Sequence, residues 1–266
     1  MSFSVQSIIE RWTQQEGSAP STVDGLIAGH PDMSITGVAV AFMATHHVLE
    51  QAVAQGLNMI ITHEGLYYSH HHPNPWLDEN DPIAVEKQRF IEQHQLSIYR
   101  YHDHCHQVEP DLITEGLVRS LGWEQQVQHI FKEATTVELP GDRSVADIAT
   151  HIKQRLGLPY VRVAGDARLN CRRIGLTVGY RGGGLNGVTL LQQHGVDLII
   201  AGEGPEWETP EYVRDAVSQG SRKALIMIGH APSEEPGMRL FAERLQQQLP
   251  ELPVRFLATE PLYHIV

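Results

Sequence analysis

The chain has 266 residues, 41% of them hydrophobic and 20% charged, an ordinary globular composition that allows one large or two modest domains. No run of about 18 apolar residues exists, which excludes a membrane-spanning helix, and Met1 to Val5 lacks the basic region and apolar core of a secretory signal. With 20 Lys and Arg against 32 Asp and Glu, the net charge of −12 repels a phosphate backbone, so nucleic acid is not an expected partner. The two cysteines, Cys105 and Cys171, are too few for a disulfide scaffold and fit a reducing cytoplasm. The 16 histidines point to metal, proton chemistry or chance, and their spacing has to decide.

In chain order, aliphatic or β-branched runs predict strands over 35–42, 57–62, 96–101, 173–178, 196–201, 224–228 and 254–257. Pro82, Pro110 and Pro210 stand at first helical positions, and Gly56, Gly122, Gly195 and Gly220 stand where helices should stop. The alternation predicts an α/β fold with a largely parallel sheet. The halves also align with each other. Ile35 to Gly65 falls without a gap on Ile174 to Gly204, setting Glu64 on Glu203. Leu96 to His106 falls on Ala224 to Glu234, setting His102 on His230 and His106 on Glu234. This predicts an internal duplication into two pseudo-symmetric βαβ-based halves, 1–126 and 127–266. The second half includes a connecting segment, 127–170, in which Ser144-x-x-Asp147 opens a helix closing near Gly157. Strand ends of the two halves would face one shared cleft.

Several constellations at those strand ends carry potential ligands. Thr62-His63-Glu64-Gly65 follows an apolar strand that would hold side chains to a fixed geometry, although a surface turn has the same composition. Gly229-His230-Ala-Pro-Ser-Glu234-Glu235-Pro-Gly237 offers nitrogen and charged oxygen, a set suited to zinc, manganese or iron. Ser233 in that segment is also a credible helix cap. His102-Asp103-His104-Cys105-His106 is dense in ligands, but an extended segment would point only some of them inward, and Cys105 reads better as a buried small residue. The loop Tyr67 to Trp76, with His70, His71 and His72, could clamp a substrate ring or be merely solvated. Arg181-Gly-Gly-Gly184 could present amides to a phosphate, a weak signal without a P-loop pattern.

These residues resemble the Nif-three-like dinuclear metal-centre proteins, also labelled GTP cyclohydrolase I type II homologues. The likeness covers nearly the whole chain. It rests on Gly37 to Phe42, Ile60-Ile-Thr-His-Glu64, Gly182-Gly-Gly184, Asp197 to Gly202 and, most specifically, Gly229 to Gly237. Carried over by position, the resemblance implies the ligands His63, Glu64, His106, His230 and Glu234, holding two divalent metal ions per chain of the zinc, manganese or iron class. Glu64 stands where the family has His and His106 where it has Asp, an exchange that keeps the number of donors and their charge. Asp103 is the alternative carboxylate ligand to His106.

Three function classes follow, the last a structural scaffold whose histidines are ordinary polar residues. In the first, the protein is a metal-dependent hydrolase, GTP cyclohydrolase-like or phosphoesterase-like, acting on a small anionic substrate, with His102 or Asp103 as the catalytic proton shuttle. In the second it is a non-catalytic metal-binding or regulatory oligomer. The resemblance implies a homohexamer, a trimer of dimers, in either of these two classes.

Overall fold

A computed structural model describes residues 3–13, 22–71 and 74–266. In chain order, the elements are β1 (Phe3–Ser4), α1 (Val5–Thr13), β2 (Gly25–Ala28), β3 (Ser34–Ile35), β4 (Val38–Ala41), α2 (His46–Ala54), β5 (Met59–Thr62), α3 (Pro82–Gln93), β6 (Ser97–Arg100) and α4 (Asp103–Gln107). They continue with α5 (Leu112–Leu121), β7 (Val127–Ile130), β8 (Thr135–Ser144), α6 (Val145–Leu156), β9 (Arg162–Ala164), β10 (Asn170–Thr177), α7 (Gly184–Gln193), β11 (Leu198–Ala201), α8 (Thr209–Ser218), β12 (Ala224–Met227), α9 (His230–Gln248) and β13 (Val254–Phe256).

Two compact units result. One comprises 1–109 with 238–266, the other 110–237. These bounds differ from the expected halves 1–126 and 127–266. The chain returns to the first unit because β13 pairs in parallel with β4 and Phe241 of α9 packs on Tyr101 at 4.7 Å. The first unit holds a five-stranded sheet in the order β13-β4-β5-β6-β2, parallel except for β2. Strands β4, β5 and β6 are buried along their whole length, the expected state of parallel strands covered on both faces. Their core joins Ala39, Val48, Leu49, Ile60, Ile98 and Leu257.

The second unit has a six-stranded sheet, β7-β8-β10-β11-β12-β9, in which β10, β11 and β12 are parallel and the remaining pairs antiparallel. The segment 127–170 is therefore no mere connector, since it supplies β7, β8, α6 and β9 to this sheet. Within it, Ser144 Oγ accepts from Asp147 N at 3.1 Å and Gly157 closes α6 at φ 68°, as the sequence predicts.

Each unit thus runs three parallel strands followed at one edge by an antiparallel strand that precedes them in sequence. The sheet registers depart from the ungapped alignment of the halves. Val38 pairs with Met59 and Ile174 with Leu198, so Val38 matches Ile174 where the ungapped alignment set it on Thr177. Likewise Tyr101 N donates to Thr62 O and Ile228 N to Ala201 O, which sets His102 on Gly229 instead of His230.

Candidate metal centre

The first-unit cluster begins where β5 ends. His63 N donates to Ala41 O at 3.2 Å and Glu64 N to Phe42 O at 2.8 Å, so ladder hydrogen bonds still fix the backbone at both residues. His63 is fully buried, with Nδ1 3.2 Å from Tyr101 O. A carbonyl partner makes Nδ1 the protonated nitrogen and gives Nε2 the lone pair that a metal needs.

The segment after β6 is helical, whereas the sequence suggested an extended run. Five residues are too few for a helical period to show in the sequence. In α4 the N-cap His102 and His106 lie one turn apart, and both rings face His63. The His63–His102 centroids are 4.5 Å apart and stacked, and those of His63–His106 and His102–His106 are 5.1 Å and 5.2 Å apart, edge to face. Burial, and then the neighbouring His63, push His102 down to about 4, so its imidazole is neutral at neutral pH. Asp103 holds His102 Nδ1 at 2.9 Å and accepts from Val23 N at 3.0 Å. Burial raises this carboxyl, but the hydrogen bonds from His102 and Val23 outweigh it and bring it down to about 2.

Ligand atoms of His63, Cys105 and His106 lie within 4.8 Å of one another, as do those of His63, Glu64 and His102, and those of His70, His102 and Asp103. Cys105 is buried as expected, yet nearer the cluster than its reading as packing implied. Its sulfur is 3.4 Å from His63 Nδ1, and the thiol donates to His102 O at 2.9 Å.

Arg100, only 2% exposed, orders the other side. It meets Glu64 Oε2 at 3.3 Å, donates to His63 O at 3.3 Å and to His70 O at 2.5 Å, and lies 3.1 Å from His70 Nδ1. Glu64 Oε1 is 3.9 Å from His102 Nε2. Sequence reasoning missed Arg100 because its partners Glu64 and His70 lie far from it in sequence. His70 stands by its ring against His102 at 4.8 Å, His71 by His70, and His72 lies outside the described residues.

In the second unit, Glu203 N donates to Gly179 O at 2.8 Å just beyond β11, and His230 opens α9 just beyond β12. His230 Nδ1 is 2.9 Å from Glu203 Oε1 and Nε2 is 3.1 Å from Glu234 Oε2, one helical turn on. Glu203, noted in sequence only as the counterpart of Glu64, is thus the residue that orients His230. Glycine is required at 179. Its φ is +55°, and a Cβ there would come within 2.1 Å of Glu234 Oε1. Ser233 is not the N-cap expected. It lies in the first turn of α9, donating to His230 O at 2.7 Å and accepting from Gly179 N at 2.9 Å.

The turn at Arg181 to Gly184 has no opening for phosphate at its helix. Glu208 Oε2 accepts from Gly184 N at 2.6 Å, so a carboxylate of the chain already fills the start of α7. Arg181 is paired with Asp111 at 2.9 Å.

The donor set fits divalent metal. The first unit brings together imidazoles with one carboxylate, the second an imidazole with carboxylates, and both occur at strand ends where hydrogen bonds fix the backbone. No helix among the described residues is long and apolar enough to cross a membrane.

The model of the family Duf34/NIF3 (NGG1p interacting factor 3) matches residues 3–261. A protein of Clostridium perfringens named GTP cyclohydrolase 1 type 2 homolog is 26% identical over 243 residues, 89% of this chain and 87% of that protein. The fold is similar to that of Staphylococcus aureus protein SA1388, with a TM-score of 0.75 at 18% identity over 98% of this chain and 99% of that one. It is also similar to a Bacillus cereus protein related to NIF3, with a TM-score of 0.76 at 14% identity over 99% of each chain. With the family model spanning nearly its whole length, the chain belongs to the Duf34/NIF3 family.

Proposed function

We propose that the protein binds two divalent metal ions per chain, of the zinc, manganese or iron class, and uses them as a hydrolase on a small anionic substrate. The ligands are His63, Glu64 and His106 in the first unit and His230 and Glu234 in the second. The observation that carries this reading is the packing of the His63, His102 and His106 rings within 4.5–5.2 Å of one another around a fully buried His63. Burial keeps the His102 imidazole neutral, and the carbonyl and carboxylate partners of His63 and His102 orient their rings.

Two such ions would supply positive charge for an anion and make water a stronger acid near neutral pH. His102 moves the proton. Its Nδ1 is oriented by Asp103 at 2.9 Å, leaving Nε2 directed to the side of Glu64. Arg100 holds one oxygen of Glu64, and the carboxylate would serve as a ligand to a bound metal. The relatives named GTP cyclohydrolase 1 type 2 homolog support a hydrolytic reading, with a nucleotide or phosphoester as the substrate class to try first. We further infer that the two units arose by internal duplication and that the chain works in the cytoplasm as a homohexamer, a trimer of dimers.

The test is to incubate metal-loaded protein with a panel of nucleotides and phosphoesters. Turnover that vanishes in Glu234→Ala and in His63→Ala is the expected result. Metal binding without turnover on any member of the panel would instead favour a metal-binding or regulatory oligomer.

A further inference from the structure

We propose that Asp24, which lies in none of the motifs above, is the positioning residue for α4, the helix that carries His106. The inference rests on the reading of His63 and His106 as metal ligands. Helix α4 runs only from Asp103 to Gln107, and its N-cap His102 makes no side-chain cap hydrogen bond. So short a helix has little hydrogen bonding of its own to hold it.

Asp24 supplies what the helix lacks. Its Oδ1 accepts from His102 N at 2.7 Å and from Asp103 N at 2.8 Å, while Oδ2 accepts from His104 N at 2.9 Å and lies 2.5 Å from His104 Nδ1. The side chain is 1% exposed. A carboxylate so far from water is stable only with its donors present, so Asp24 and the first turn of α4 fix each other. The tie is returned. Val23 N donates to Asp103 Oδ2 at 3.0 Å, and the other oxygen of Asp103 holds the His102 ring. Where α4 begins decides where His106 stands relative to His63. Asp24 bonds three backbone amides and the His104 ring, and no side chain proposed as a ligand, and so acts on the metal site through the helix.

The experiment compares full-length Asp24→Asn and Asp24→Ala with Ser144→Ala, which removes a cap of the same kind from α6. Three quantities are read: amide exchange at residues 102–104 in the metal-free protein, melting temperature, and affinity for Zn²⁺ alone by chelator competition. Faster exchange at those amides is expected in both Asp24 variants, with Zn²⁺ affinity lower by about 10- to 100-fold. Asparagine should be the milder change, because it keeps one accepting oxygen. Ser144→Ala should melt lower yet keep its Zn²⁺ affinity. Unchanged exchange would overturn the cap, and faster exchange with unchanged affinity would overturn the positioning role. An equal loss of affinity in Ser144→Ala would also overturn it, by reducing the effect to general destabilisation. If the parent protein bound no Zn²⁺, the metal reading and the positioning role would fall together, while the exchange data would still judge the cap.

Discussion

Lys87 is 3% exposed and packs beneath the loop after Glu64, with Nζ donating to Leu66 O at 2.7 Å and facing the rings of Tyr67 and Tyr68. Burial pushes its ammonium from the usual 10.5 down to about 8. A folded value below the unfolded one means that the folded chain gives up this proton first. The stabilising contribution of Lys87 is therefore complete above pH 10.5 and lost as pH falls through about 8. The unfolding free energy of the parent protein minus that of Lys87→Met should accordingly rise between those limits, as chemical denaturation at a series of pH values would measure. A flat difference would mean that the amine is not desolvated. Glu64 and His106 form a second residue-level test. Glu64→His and His106→Asp should each weaken metal binding, and the double change should bind better than either, the non-additivity expected of residues serving one ion. A double variant no better than the worse single would shift the carboxylate role to Asp103. The position of His63 and Glu64 just beyond a strand was legible because two polar residues directly follow an apolar run. Asp24 and Arg100 were not, since their partners lie far away in sequence and nothing local marks either one.

At the scale of elements, backbone proximity sets the sensitive positions. Helix α5 approaches the first half of α9 so closely that a Cβ on Gly116 would lie 2.4 Å from Gly237 Cα. Gly116→Val should destabilise the protein by about 1–3 kcal/mol or more through overpacking, read as a lower urea midpoint. Gly179→Ala should displace Glu234 and reduce metal affinity, because its Cβ would sit 2.1 Å from Oε1 at a φ of +55°. Gly141→Ala, with nothing within 4 Å of the added Cβ, is the control and should bind metal as the parent does. The central strands were readable in the sequence because fully buried parallel strands are continuous apolar runs. Strands β7, β8 and β9 were hidden for the opposite reason. β8 carries Pro140-Gly141-Asp142-Arg143 in its outer half, and β9 is a short edge whose Arg162 and Val163 are exposed.

For the whole molecule, the chain divides into 1–109 with 238–266 and 110–237, where the repeat pattern expects a break after 126, and the return of β13 to the first sheet leaves no mark in local composition. A homohexamer should sediment at six times the chain mass, and a lone monomer at all concentrations would contradict that inference. Since ligating histidines must be neutral, metal affinity should fall as pH drops through about 6.5, and an affinity unchanged from pH 8 to pH 5 would exclude histidine ligation. The most direct test of the central claim is elemental analysis of purified, metal-replete protein in which His70, His71 and His72 are replaced by serine to remove adventitious binding. The expected result is up to two zinc, manganese or iron ions per chain, lost on changing His63 or His230 to alanine. Only trace metal in that protein, or full metal retained in both alanine variants, would contradict the account.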